Sequence, residues 1–181
     1  MIYYMNSTYD QKNLKRMPGE DSHMLLTVED VMVRDVVAIS CDENVKNAAS
    51  TMIGFEIGSL VVLEGDMVVG MITERDILRR VVTDGRNPEE TTVGEVMSQP
   101  AIVVGPALPL DKAVALMFEY KIKKLPVIER EEEGRKLVGI VTLTDIARLH
   151  PQLIQTLKEL FDMNQEQPPR RMQKVIDYYI V

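Results

Sequence analysis

The apolar positions change period several times between Thr27 and Leu149, and each change predicts an element. Thr27-Val28-Glu29-Asp30 reads as a helix start, with Thr as the cap and an acid at the third helical position. That short helix carries Val31 and Met32. Val36 to Ile39 predicts a strand, and Cys41-Asp42-Glu43-Asn44 a turn. Val45, Ala48, Ala49, Met52 and Ile53 recur at helical spacing, so Val45 to Phe55 predicts an amphipathic helix. Leu60 to Leu63 and Met67 to Ile72 predict two strands, joined by a hairpin turn at Glu64-Gly65-Asp66. Thr73 then caps a helix to about Val82, and Thr83 to Pro88 reads as a linker.

The pattern then starts again. Val28, Val31 and Met32 return as Val93, Val96 and Met97 at an offset of 65, which also carries Ala48 to Ala113, Met52 to Met117 and Leu60 to Leu125. Beyond the second hairpin the offset is 69, because Glu129 to Gly134 is four residues longer than its counterpart. Gly70, Thr73, Asp76 and Arg79 then map onto Gly139, Thr142, Asp145 and Arg148. Two offsets sustained over this length are an internal duplication. Each unit reads β-α-β-β-α after a short leading helix, a mixed α/β (α+β) chain. The expected organisation is a tail over 1–26, a first repeat over 27–82, a linker over 83–92, a second repeat over 93–149 and a helical extension over 150–181. A unit this small buries too little surface alone. The two repeats are therefore expected to pack on each other, forming clefts related by a pseudo-twofold.

The ends of the chain are less determined. Pro18-Gly19 breaks a polar tail that holds Tyr3, Tyr4 and Tyr9. Pro151 predicts the start of a helix with Leu153, Ile154, Leu157, Leu160 and Phe161 on one side. Met172, Val175, Ile176, Tyr179 and Ile180 predict a second one. These helices could cover the core, form a dimer contact or dock a partner.

Composition narrows the chemistry. A net charge of −7 over 181 residues argues against a general nucleic-acid binder, whose affinity rests on neutralising phosphates with Lys and Arg. One cysteine, Cys41, rules out an intramolecular disulfide and an all-cysteine metal site. His23 and His150 are far apart in sequence, so no metal site or histidine-based catalytic pair is expected. No apolar run approaches the roughly 18 residues of a membrane span. The first residues carry no signal-peptide pattern, and the expected location is cytoplasmic.

The candidate chemistry lies at the repeated junction. GMITERD (70–76) and GIVTLTD (139–145) each place a glycine, then Thr three residues on, then Asp three further. T-x-x-D is also a helix-capping box, in which the acid reaches back to the cap N–H. The two roles are compatible. Neither G-x-x-x-x-G-K-[ST] nor G-x-G-x-x-G occurs, and no nucleophile–base pair stands out, so catalysis is not expected.

The duplicated unit, with V-x-x-V-M in VEDVM (28–32) and VGEVM (93–97) and the closing G-h-h-T-x-x-D, resembles the cystathionine β-synthase (CBS) domain pair, or Bateman module. The resemblance covers about Thr27 to Leu149, and the C-terminal helices look like extensions of stand-alone prokaryotic members. It implies a tandem pair that binds AMP, ADP, ATP or S-adenosylmethionine as a regulatory ligand, with no catalytic cofactor. By position, Asp76 and Asp145 would take the ribose hydroxyls, and Thr73 and Thr142 ribose or phosphate. Arg75 and Thr144, just before each Asp, are further contact positions.

A carboxylate can accept from both ribose hydroxyls, and apolar Met71 and Ile140 would supply a wall for adenine. Lys123 and Lys124 stand where adenylate-sensing relatives place basic residues, but Gly58 and Ser59 hold those positions in the first repeat. The repeats depart from symmetry there, and occupancy of one site or of both stays open. The resemblance also implies a homodimer through the helices of the module and control of an effector on a separate chain, with neither nucleic acid nor membrane as partner. Some dehydrogenases carry such a module as an insert; no catalytic barrel is expected here. An interaction scaffold with empty sites is the alternative.

Overall fold

In the computed structural model, which describes residues 26–131, 134–152 and 155, the first repeat builds a three-stranded sheet in the order β1-β2-β3. β1 (Ala38–Ser40) runs parallel to β2 (Ser59–Glu64), and β2 is antiparallel to β3 (Met67–Thr73). The crossover between β1 and β2 is α1 (Val45–Gly54), opened by Asn44, whose side chain accepts from the Asn47 N–H at 2.8 Å. α1 buries Val45, Ala48 and Met52 against the sheet. Ile53, expected on the same face, is 78% exposed. It lies about 80° round the helix from Val45, on the side away from Ala48 and Met52.

The apolar run Val68-Val69-Gly70-Met71-Ile72 shows no clean alternation because it contains a β-bulge. Leu63 pairs with Val68 and Val62 with Gly70, leaving Val69 as the extra residue. Val68 and Met71 consequently face the same cluster although they are three residues apart. The second repeat repeats the irregularity, with Ile128 opposite Leu137, Val127 opposite Gly139 and Val138 between them.

After β3, α2 (Glu74–Ile77) continues directly into a π-helical turn at Leu78–Val82, closed by the Thr83 N–H on the Leu78 carbonyl at 3.0 Å. The second repeat contributes α3 (Val93–Val96), α4 (Leu110–Glu119), β4 (Lys124–Glu131), β5 (Gly134–Thr142) and α5 (Leu143–Leu149). Pro151, Gln152 and Gln155 are helical, but Leu153, Ile154, Leu157, Leu160 and Phe161 of the expected helix and all of the one expected at Met172–Ile180 fall outside the described residues, as does the tail through residue 25.

The two sheets are not identical. The counterpart of β1 is reduced to a single parallel bridge between Val104 and Val127. Two prolines account for this. In the first repeat the Val61 N–H donates to Val37 and the Cys41 N–H donates to Leu63. Their counterparts are Pro126 and Pro106, which have no N–H to donate. Only the bonds either side of Val104 survive, from Val104 to Pro126 at 3.1 Å and from Ile128 to Val104 at 2.9 Å.

The leading segments are exchanged between the repeats. The N–H groups of Val28 and Glu29 donate to Leu108 and Pro106, while those of Val93 and Gly94 donate to Glu43 and Cys41. The bridge Thr27–Pro109 has its counterpart in Asn44–Thr92, and Val33–Ile140 in Met71–Ser98. The cores follow this exchange. Val28, Val31 and Met32 pack with Leu110, Met117, Leu125 and Ile146, while Val93, Val96 and Met97 pack with Val45, Met52, Leu60 and Ile72. A third cluster joins the two sheets through counterpart pairs: Val36 with Ala101, Leu63 with Ile128, Val68 with Leu137, and Met71 with Ile140. The expected pseudo-twofold packing is thus present, and each repeat's core is completed by the other repeat's leading segment.

Candidate functional site

The glycines of the two G-h-h-T-x-x-D motifs lie under these exchanged segments. A Cβ on Gly70 would stand 2.6 Å from the Met97 sulfur and 2.9 Å from the Ser98 carbonyl oxygen. On Gly139 it would stand 2.5 Å from the Met32 sulfur. The V-x-x-V-M motif of one repeat therefore interlocks with the glycine of the other, and glycine is required for close approach.

Three residues on, each Thr ends its strand and opens a helix. The Thr73 Oγ1 accepts from the Asp76 N–H at 3.2 Å, and the Thr142 Oγ1 from the Asp145 N–H at 3.2 Å. Each Thr hydroxyl donates to Oδ2 of its Asp at 2.6 Å. The threonine caps the helix at both motifs, and the full box, with the acid on the cap N–H, is formed at Thr73.

The two carboxylates then diverge. Asp76 is 8% exposed and is held by additional donors. The Thr73 N–H reaches its Oδ2 at 3.0 Å, the Ser98 hydroxyl reaches its Oδ1 at 3.0 Å, and Arg80 Nη1 lies 3.5 Å from Oδ1. Arg80 also donates to the carbonyls of Val96 and Met97 at 2.7 and 2.6 Å, ending α3. Asp145 is only partly buried, and among the described residues its Oδ1 has no hydrogen-bond donor. The counterparts of Ser98 and Arg80 are Val33 and Leu149, which cannot donate. Sequence reasoning did not single out Ser98 or Arg80. Their signal was the break in repeat symmetry at those two positions.

The basic positions are equally unequal. Lys123 is exposed and its carbonyl accepts from the Leu143 N–H at 2.8 Å, as Gly58 accepts from Glu74 at 3.2 Å. The Glu74 carboxylate crowds Gly58, where a Cβ would approach it to 2.8 Å. Lys124 is partly buried and donates to Ser59 Oγ at 2.7 Å. Burial pushes its amine below the ordinary lysine range, and the charges of Glu74 and Asp145 oppose that shift. Arg75 and Thr144 are exposed. Met71 and Ile140 are partly buried in the cluster between the sheets. Lys121 is exposed on the turn after α4. Among the described residues no group of three or more His, Cys, Asp and Glu side chains could hold a metal ion, and no helix is long and apolar enough to cross a membrane.

These features are those of a tandem-repeat fold, two interlocked β-α-β-β-α units with a paired Thr/Asp junction. The CBS domain family model matches residues 28–83 and 93–151, and the chain belongs to the CBS-domain family as a tandem pair. It is 38% identical over 143 residues to a protein of Methanopyrus kandleri, covering 78% of this chain and 71% of that one. Among solved structures it is similar to a CBS domain pair in complex with 5′-methylthioadenosine and S-adenosyl-L-methionine (TM-score 0.62, 26% identity, 70% of this chain and 97% of that one). It is also similar to a hexameric CBS-CP12 protein from bloom-forming cyanobacteria (TM-score 0.61, 29% identity, 72% and 73%).

Proposed function

We propose that this chain is a non-catalytic regulatory sensor of adenosine-containing ligands, of the AMP, ADP, ATP or S-adenosylmethionine type. The observation that carries this reading is Asp145, a partly exposed carboxylate with one oxygen that meets no donor among the described residues, close enough to the Lys124 amine to influence its protonation. A carboxylate so placed can accept from a vicinal diol, and a neighbouring cation suits a phosphate or carboxylate on the same ligand. The solved relative that holds two adenosine-type ligands supports the same class. Ligand bound where the two repeats meet would change their mutual angle, and a partner would read that change.

Self-association belongs to the same reading. Ile53 and Phe55 at the end of α1 are 78% and 62% exposed, and Leu78 and Val82 on the helix after β3 are 60% and 65% exposed. The relative described as a hexameric CBS-CP12 protein supports self-association. The reading places a homodimer contact on these helices and an effector protein on another chain.

A scaffold with empty sites is the second reading, favoured by the internal commitment of Asp76. Isothermal titration calorimetry of the nucleotide-stripped chain with AMP, ADP, ATP and S-adenosylmethionine separates the two. Micromolar binding that weakens in Asp145→Ala, with the melting temperature nearly unchanged, supports the sensor. Flat titrations with all four ligands support the scaffold.

A further inference from the structure

Building on the sensor reading, we propose that the chain binds one adenosine-type ligand, through Asp145, and that Ser98 and Arg80 close the counterpart position at Asp76. The two aspartates are equivalent in sequence and not in chemistry. Both oxygens of Asp76 are in use, Oδ2 by the Thr73 hydroxyl and N–H and Oδ1 by the Ser98 hydroxyl with Arg80 alongside. A ribose diol would have to displace the Ser98 hydroxyl from a buried carboxylate. It would also compete with the Arg80 guanidinium, which is anchored on two backbone carbonyls. At Asp145 the diol displaces no donor from Oδ1 among the described residues.

The surrounding charge points the same way. Lys123 stands at the second position, whereas Gly58 and the Glu74 carboxylate occupy the first, and the Lys124 amine lies between them on Ser59. An anionic ligand therefore meets the Lys123 position on one side of the pseudo-twofold and the Glu74 carboxylate on the other. Ser98 belongs to the leading segment of the second repeat but closes the site of the first, so the segment exchange is what makes the two sites unequal.

The test is calorimetric titration of the full, stripped chain with AMP, adenosine and 2′,3′-dideoxyadenosine. One site per chain is expected, with at least tenfold weaker binding of the dideoxy analogue and at least tenfold weaker AMP binding in Asp145→Asn. The double variant Ser98→Val with Arg80→Leu copies the side chains found at Val33 and Leu149. It leaves both aspartates in place and is expected to show a second AMP site. Its folding is checked by its melting curve, and Ser98→Val alone serves if the pair is unstable. Two sites in the unaltered chain, or full affinity in Asp145→Asn, overturn the one-site assignment and leave the sensor reading standing. Absence of binding by adenosine, AMP, ADP, ATP and S-adenosylmethionine alike overturns both.

Discussion

The Nζ of Lys124 donates to the Oγ of Ser59 at 2.7 Å, and these two residues hold the same position in their respective repeats. A side chain that meets its own counterpart lies close to the pseudo-twofold axis. Two lysines at this place would set like charges against each other in a partly buried site. With serine on one side, the amine finds an acceptor instead.

The Lys124 amine should leave a pH signature. Burial holds its folded pKa below the ordinary value, so the unfolded chain keeps this proton to higher pH than the fold does. Between the two values the unfolded state binds more protons, and stability rises with pH. Urea unfolding measured through the alkaline range up to the ordinary lysine pKa of about 10.4 should show this rise in the unaltered chain. The rise should be absent in Lys124→Met. An identical slope in both would show that another group titrates there.

The glycine interlock predicts an ordered pair of effects. Gly70→Ala places a methyl 2.9 Å from the backbone oxygen of Ser98, which cannot move without shifting the exchanged segment. In Gly139→Ala the nearest atoms are the Met32 sulfur and Cγ, and the backbone oxygen of Val33 is farther away at 3.2 Å. Gly70→Ala should cost about 1–3 kcal/mol in denaturant unfolding, as overpacked core substitutions do, and Gly139→Ala less. Equal losses would mean that the methionine side chains, not the backbone, set the limit.

Both long helices end on a left-handed residue that is not glycine. Glu56 has φ 53° and Lys121 φ 55°, and each is followed by an isoleucine whose N–H reaches back to a methionine carbonyl, Ile57 to Met52 and Ile122 to Met117. This is the Schellman arrangement, in which glycine is the favoured residue. The left-handed conformation costs a side-chain-bearing residue roughly 1–2 kcal/mol, partly offset by the greater unfolded-chain entropy of glycine. Glu56→Gly and Lys121→Gly should each raise stability by up to about 1 kcal/mol. A loss in either variant, measured by thermal melts, would show that the side chain contributes more than its backbone strain costs.

Arg80 joins the two repeats by donating to the Val96 and Met97 carbonyls at the end of α3. Removing it leaves these partly buried carbonyls without a charged donor, at a cost of about 1–3 kcal/mol. Arg80→Ala should lower the unfolding midpoint accordingly and speed amide exchange in α3 relative to α4. Uniform exchange across both helices would argue against a local fastening role.

Much of the fold was readable from the chain because it depends on local patterns. Helical spacing marked α1, the hairpin turn marked β2 and β3, and the two offsets marked the duplication and the resemblance to CBS pairs. Thr73 and Thr142 as helix caps followed from T-x-x-D alone, since the residues that make the bonds are three apart. Periodicity misjudged Ile53, because the sheet covers only a narrow stripe of α1. The loss of the first strand in the second repeat was present in the letters as Pro106 and Pro126. It became meaningful only once the register showed which N–H groups the ladder needed.

What tertiary structure alone decided was partnership between distant segments. The exchange that seats Met97 on Gly70 and Met32 on Gly139 joins residues 27 and 107 positions apart. No periodic signal reaches that far along a chain. The same exchange brings Ser98 to Asp76 across 22 residues, whereas the counterpart of Ser98 in the first repeat is Val33, which has no side-chain donor to offer Asp145. Sequence therefore determined that there are two Thr/Asp junctions of one design. Which carboxylate keeps an oxygen without a donor among the described residues depends on hydrogen bonds made only after the repeats have packed.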